Sequence, residues 1–269
     1  MRRGIAFSTL ACPDWSLEEV LERGAGWGYQ GVELRLIDGK VVELPVPAPE
    51  RARVARELRA SSLAVVGLGT SIRLAEGEPE TLAGAIRAFL ELAAEWSAPV
   101  VRVFGGRVDQ SVPRQKTLRR MAAAVEAALP EAARLGVTVA IETHDDFSSS
   151  SAVAEVLALV PDASFGAIWD VMHTARMGDT PAAAWDRLGA RTVDVHIKDA
   201  ARSGDGTWRQ VPLGQGDAAV RDCLAQLVAA GYGGWVTAEW EKAWHRELDE
   251  PEVALPQHLA TIRETLAAV

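Results

Sequence analysis

The feature that most restricts what this chain can become is a regular exchange between two hydrophobic periodicities. Short runs rich in β-branched residues alternate with longer segments whose apolar residues recur every three to four positions. The first pattern suits a strand buried on both faces, the second an amphipathic helix. Strand patterns fall at 4–8, 32–35, 64–70, 100–104, 138–144, 165–170, 192–198 and 235–240. Helical patterns fall at 16–27, 49–60, 79–96, 113–135, 151–160, 181–188, 218–230 and 255–268. Ser16-Leu-Glu-Glu19 has the form of a capping box that opens the first helix. Leu82, Ile86, Phe89, Leu90 and Ala93 mark the core-facing stripe of the third. Eight strand–helix pairs in 269 residues give a mean period of about 34. Continuous alternation of this kind calls for a parallel sheet, and eight units of this size predict an α/β fold closed as a (β/α)8 TIM barrel. No linker or shift in composition divides the chain, so residues 1–269 are read as one barrel domain.

Several functions are disfavoured at once. No apolar run approaches the ~18 residues of a membrane span. The formal charge is 28 − 37 = −9, a field that repels phosphate backbones and argues against a nucleic-acid partner. The two cysteines, Cys12 and Cys223, lie far apart, which fits a reducing compartment better than a disulfide framework. Met1-Arg2-Arg3 and the apolar residues after it have the outward form of a signal peptide. The apolar stretch stops at Pro13-Asp14 without a cleavage site, so it is read as the first strand and the protein as cytoplasmic.

A barrel of this type carries its active site at the C-terminal ends of its strands. Strand 5 ends Ile-Glu142-Thr-His144, strand 6 Ile-Trp169-Asp170, strand 7 Val-His196-Ile-Lys198 and strand 8 Ala-Glu239-Trp-Glu241. Because side chains alternate faces along a strand, Glu142 and His144 share a face, as do His196 and Lys198, and Glu239 and Glu241. Strands 5–8 therefore each send a carboxylate or imidazole to one rim. Unpaired carboxylates crowded there would repel, and a divalent cation removes that repulsion. Such a mostly hard-oxygen set suits one Mn²⁺ or Mg²⁺ ion, with Co²⁺ or Zn²⁺ as alternatives.

These strand ends, with Asp170-Val-Met-His173, His196-Ile-Lys198-Asp199 and Leu213-Gly-Gln-Gly-Asp217, resemble the xylose-isomerase-like TIM-barrel sugar phosphate isomerase/epimerase superfamily. That superfamily includes ketose 3-epimerases, inosose dehydratases and metal-dependent apurinic endonucleases. The resemblance spans nearly the whole chain and is strongest over residues 138–245. It implies Glu142, Asp170, His196 and Glu239 as the metal ligands, with His173 touching the substrate or a ligand. It further implies keto-sugar or keto-polyol isomerisation or epimerisation through a metal-stabilised enediolate. Glu142 and Glu239 would then pass a proton from opposite faces of the sugar. The same chemistry becomes a lyase, of the inosose-dehydratase or 3-keto-glycoside-cleaving kind, if a leaving group is expelled, with His144 or His173 as acid. The nuclease fits worst, for it needs extra histidines on the early strands, and no His precedes His144. Barrels of this family often pair, so a homodimer is expected by analogy.

The other expected substrate contacts are His144, Lys198, Trp169, Glu33, Trp15 and Arg176. Each has a plainer alternative. His144 can bond a neighbouring loop, Lys198 can pair with Asp199, and Glu33 can pair with Arg35 or another barrel charge. Nine Trp against five Phe and two Tyr is an unusual balance. Trp15, Trp169, Trp240 and Trp244 fall beside strand-end loops, where an indole can stack on a sugar. The Gly214–Gly216 segment is either a phosphate cradle or a turn into the next helix, and it lacks both common phosphate-loop patterns. Arg176, Arg202 and Arg209 sit in rim loops, where each has the chemistry to hold a phosphate or carboxylate.

Overall fold

The computed structural model describes residues 4–269; Met1, Arg2 and Arg3 of the signal-like start lie outside them. Eight parallel strands form a closed barrel: β1 (Gly4–Ser8), β2 (Gly31–Leu34), β3 (Ala64–Arg73), β4 (Val100–Phe104), β5 (Thr138–Glu142), β6 (Phe165–Asp170), β7 (Thr192–Ile197) and β8 (Trp235–Ala238). Each strand pairs with the next in sequence, and β8 returns to β1 with Gly4 opposite Trp235. At the N-terminal opening, a Cβ on Gly4 or Gly31 would press into the Trp235 ring, so glycine makes room for the indole.

The principal helices outside the barrel are α1 (Leu17–Trp27), α2 (Ala48–Ala60), α3 (Pro79–Glu95), α4 (Arg114–Glu126), α5 (Leu129–Leu135), α6 (Ser150–Leu159), α7 (Val171–Arg176), α8 (Pro181–Leu188), α9 (Val220–Ala229) and α10 (Pro251–Ala268). The Ser16 hydroxyl accepts the Glu19 amide and caps α1 as its sequence foretells. In α3 the Leu82–Ile86–Phe89–Leu90–Ala93 stripe is buried against the barrel. Each of its larger side chains contributes about 1.5–3 kcal/mol by leaving water.

Two differences from the sequence pattern have clear causes. The stretch 113–135 is not one helix but α4 and α5, because Pro130 has no N–H for the Glu126 carbonyl and its ring crowds that turn. The chain after β7 does not pass straight to a helix. It forms an antiparallel hairpin, Asp199–Arg202 with Trp208–Val211, which rises beside the barrel mouth.

Candidate active site

A cavity of about 930 Å³ opens at the C-terminal ends of the strands. Glu142 and Glu239 line its floor, and Asp170 and His196 lie fully buried behind them, all four turned inward by period-two alternation. Glu142 is the last residue of β5, Asp170 the last of β6 and His196 the penultimate residue of β7, while Glu239 follows β8 directly. All four are buried. One candidate ligand atom from each lies within 4.8 Å of the others.

The charges around them are tightly paired. His196 Nδ1 lies 3.0 Å from Glu142 Oε1 and 3.5 Å from Glu239 Oε1. Its Nε2 lies 2.9 Å from Glu33 Oε2. The Lys198 ammonium, wholly buried, sits 3.0 Å from Asp170 Oδ2, 2.7 Å from Glu239 Oε2 and 2.8 Å from Glu241 Oε1. Arg102 Nε approaches Glu142 Oε2 at 3.3 Å.

These contacts divide the carboxyls into two kinds. Burial alone would raise Glu142, but the His196 and Arg102 charges outweigh it and hold Glu142 well below the usual range. Burial raises Asp170, with the Glu142 charge adding to it, against the pull of Lys198. Burial pushes Glu239 up to about 7, again with Glu142 adding and Lys198 and His196 opposing. For His196 burial favours the neutral ring, yet Glu33, Glu239 and Glu142 together raise it well above its ordinary value. A divalent cation held among these carboxylates would lower them all and compete with the His196 Nδ1 proton.

The donor set fits such a cation. Asp170 Oδ2 accepts no hydrogen bond despite the nearby ammonium, and neither does Glu33 Oε1. With Nε2–H donated to Glu33, His196 aims Nδ1 at Glu142 and Glu239, and release of the Nδ1 proton would leave a lone pair there for a cation.

The cavity wall holds three more of the sequence-derived candidates. His144 lies between the Phe104 ring at 4.5 Å and the His173 ring at 4.6 Å, with Nδ1 3.0 Å from Asp145 Oδ1. His173 is buried, lines the cavity and leaves Nε2 without a hydrogen-bond partner. Arg176 also lines it, its Nη1 3.4 Å from His173 Nδ1.

Four expected substrate contacts are placed elsewhere. Glu33 is buried beneath the cluster and holds His196, so it serves a barrel charge, though not Arg35. Lys198 does not line the cavity and does not pair with Asp199; it bridges three carboxylates. Trp169 is fully buried on the helix side, where its indole N–H donates to Thr174 and its ring meets Trp185. The alternation that turns Asp170 inward turns its neighbour outward, and the same holds for Trp240 beside Glu239. Trp15 packs on Trp27 under the Arg23 guanidinium, away from the mouth. Of the four rim tryptophans only Trp244 lines the cavity.

The glycine segment proves to be a turn. Gly214 and Gly216 donate their amides to Asp199 Oδ2 and Ala218 donates to Oδ1, so a buried carboxylate fills the place an external anion would take. Sequence reasoning passed over Arg102 and Arg73, and it took Arg35 only as a partner for Glu33. The available signal was Val-Arg102-Val, a charge between buried β-branched residues in a barrel strand, where the charged side chain must face inward. Of the rim arginines, Arg176 and Arg209 line the cavity and Arg202 does not.

A closed parallel (β/α)8 barrel whose mouth gathers three carboxylates and an imidazole defines a TIM-barrel protein with a candidate cation centre. The sequence model of the xylose isomerase-like TIM barrel family matches residues 21–265, and the chain belongs to that family. Among solved structures it is similar to the IOLI protein with a bound zinc atom (TM-score 0.82, 16% identity, 98% of each chain covered). It is also similar to L-ribulose 3-epimerase (TM-score 0.78, 16% identity, 99% of this chain and 95% of that one). A third is 3-keto-D-glucoside 4-epimerase from E. coli (TM-score 0.77, 17% identity, 98% of this chain and 100% of that one). At these identities the likeness carries the fold. A search of curated protein sequences finds no match. Among the described residues no helix is long and apolar enough to cross a membrane.

Proposed function

We propose that the protein is a divalent-metal-dependent isomerase or epimerase of keto-sugars or keto-polyols. The observation that carries this reading is the convergence of Glu142, Asp170, His196 and Glu239 within 4.8 Å, with Glu142 and Glu239 opening onto a cavity of about 930 Å³. The zinc-bound relative and the two epimerases among the similar structures support it. These four residues would hold the cation, with Mn²⁺ the first choice for a set dominated by carboxylate oxygens. When bound, such a cation polarises a substrate carbonyl and acidifies the adjacent C–H.

The chain's own residues supply the rest. β5, β6, β7 and β8 are successive staves of the barrel, so Glu142 and Glu239 stand at the two ends of the arc, with Asp170 and His196 between. A sugar lying across that arc meets one carboxylate on each side. One takes the proton next to the carbonyl and the other returns a proton to the opposite face. His173, whose Nε2 has no partner, and His144 line the same cavity and would bind hydroxyls and hold the ring still. The free, buried thiols of Cys12 and Cys223 fit a reducing cytoplasmic setting.

The test is solvent exchange. Mn²⁺-loaded protein is incubated with a panel of ketoses in deuterated water, and loss of the proton next to the carbonyl is followed by NMR. Exchange is expected with at least one keto-sugar, and Glu142→Gln or Glu239→Gln should lower its rate about 10²- to 10⁴-fold. Silence across the panel would remove the reading, and release of water or an aglycone in place of an epimer would mark a lyase.

A further inference from the structure

The cavity has a charge its chain does not. The protein is acidic at −9, yet this cavity is lined by Arg35, Arg73, Arg102, Arg176 and Arg209. Its lining carboxylates are four. Glu142 and Glu239 belong to the cation cluster, Glu241 is held 2.8 Å from Lys198, and Glu247 stands at the exposed rim. Arg102 has Glu142 beside it and Arg73 has Glu76 and Asp145, which leaves Arg35, Arg176 and Arg209 to be answered. A neutral sugar needs no such wall.

Arg35 is the most informative of the five. It is buried at 7% exposure, and its guanidinium bonds only neutral oxygens, the Ser71 hydroxyl at 3.0 Å and the Gly69 carbonyl at 3.4 Å. Among the described residues no carboxylate lies within 4.0 Å of it, and the same is true of Arg176 and Arg209. Arg102 presses a second guanidinium against the same spot. A Cβ on Gly69 would meet Arg102 Nη2 at 2.8 Å and Arg35 Cδ at 3.1 Å, so glycine in β3 leaves the room the two arginines fill. Arg102 has Glu142 as a neighbour; Arg35 has none so close. Burying a guanidinium beside another without an adjacent counter-ion is costly unless an anion arrives. His173 adds a buried, partnerless Nε2 on the cavity wall.

We infer that the substrate is an anion: a keto-sugar or keto-polyol carrying a carboxylate or phosphate, seated on Arg35 with the rim arginines around it. The planar fork of Arg35 matches either group. In this arrangement Glu142 and Glu239 face the carbonyl end, Arg35 and Arg102 at β2 and β4 take the anionic end, and Arg176 and Arg209, across the mouth after β6 and β7, add to the positive field over it. The sugar is thereby fixed in one direction along the cavity. The inference rests on the proposed keto-sugar chemistry only for the neutral part of the ligand.

Calorimetric titration of the full-length protein, with and without Mn²⁺, tests it independently of turnover. The probes are D-fructose, 5-keto-D-gluconate and D-fructose 6-phosphate. At least one of the anions should bind about 10- to 100-fold more tightly than D-fructose, the range expected of a charge-assisted hydrogen-bonded pair. Which anion wins separates carboxylate from phosphate. Arg35→Met should bring the favoured anion down to the D-fructose level. Arg209→Met, on the surface hairpin, should weaken it even if the buried change upsets folding. Equal binding of all three sugars, no heat with either anion, or a preference untouched in both variants would overturn the inference. If the anion preference holds but no sugar exchanges hydrogen with solvent, the isomerase reading fails and this one stands.

Discussion

Lys198→Met isolates the electrostatics of the barrel floor. The ammonium is fully buried and touches Asp170, Glu239 and Glu241 at 2.7–3.0 Å. Methionine keeps most of the volume and removes the charge, so the buried Asp170 and Glu239 and the half-buried Glu241 lose their common partner. Breaking a buried ion pair from one side costs about 3–5 kcal/mol. For a chain of this size about 2 °C of melting temperature follows each kcal/mol, so the ion-free variant should melt about 6–10 °C lower. The penalty should grow with pH. Carboxyls left without the ammonium have folded pKa values raised above their unfolded ones, as Glu239 at about 7 already has, so their stability is present at low pH and lost as pH rises. A divalent cation at the same carboxylates should stand in for the missing charge. The gain in melting temperature from EDTA to Mn²⁺ should therefore be larger in the variant than in the native protein, above the roughly 5 °C that corresponds to the ~2.7 kcal/mol any ligand gives at a hundred times its Kd. Scanning calorimetry at pH 6 and pH 8, in EDTA and in Mn²⁺, reads all of this. A variant within about 2 °C of native in EDTA at both pH values would refute the reasoning, since that is the shift of only about 1 kcal/mol.

Two further outcomes follow from buried groups. His258 in α10 packs edge-on to Trp240, neither ring nitrogen has a partner, and burial pulls its pKa from 6.5 down to about 3. Its contribution is complete above pH 6.5 and lost as pH falls toward 3, about 2 kcal/mol by pH 5; His258→Leu should be at least as stable as native at pH 7 and spared that loss in urea unfolding, whereas identical pH profiles would contradict it. Asp199→Ala should strand the amides of Gly214, Gly216 and Ala218, cost about 3 kcal/mol, and speed their hydrogen exchange; unchanged protection there would show that the turn holds itself.

Much of this molecule was legible before any coordinates. Hydrophobic periodicity is local, and eight repeats of strand then helix leave few ways to bury both faces of the strands except a closed barrel. Period-two alternation likewise turned Asp170, His196 and Glu239 inward, because facing is set by position along one strand. The same rule, applied one residue over, already argued against Trp169 and Trp240 as sugar platforms, since their neighbours face the mouth. What alternation does not carry is distance between strands. Whether Lys198 reaches Asp199 beside it or three carboxylates on other strands depends on where the barrel closes. So does the meeting of Glu33 with His196, 163 positions apart. The gathering of Arg35 just after β2, Arg73 in β3, Arg102 in β4, Arg176 in α7 and Arg209 in the surface hairpin around one cavity is likewise a product of closure. A linear chain records each charge, but Coulomb interactions act through space, and only the closed barrel brings those charges within a few ångströms of one another.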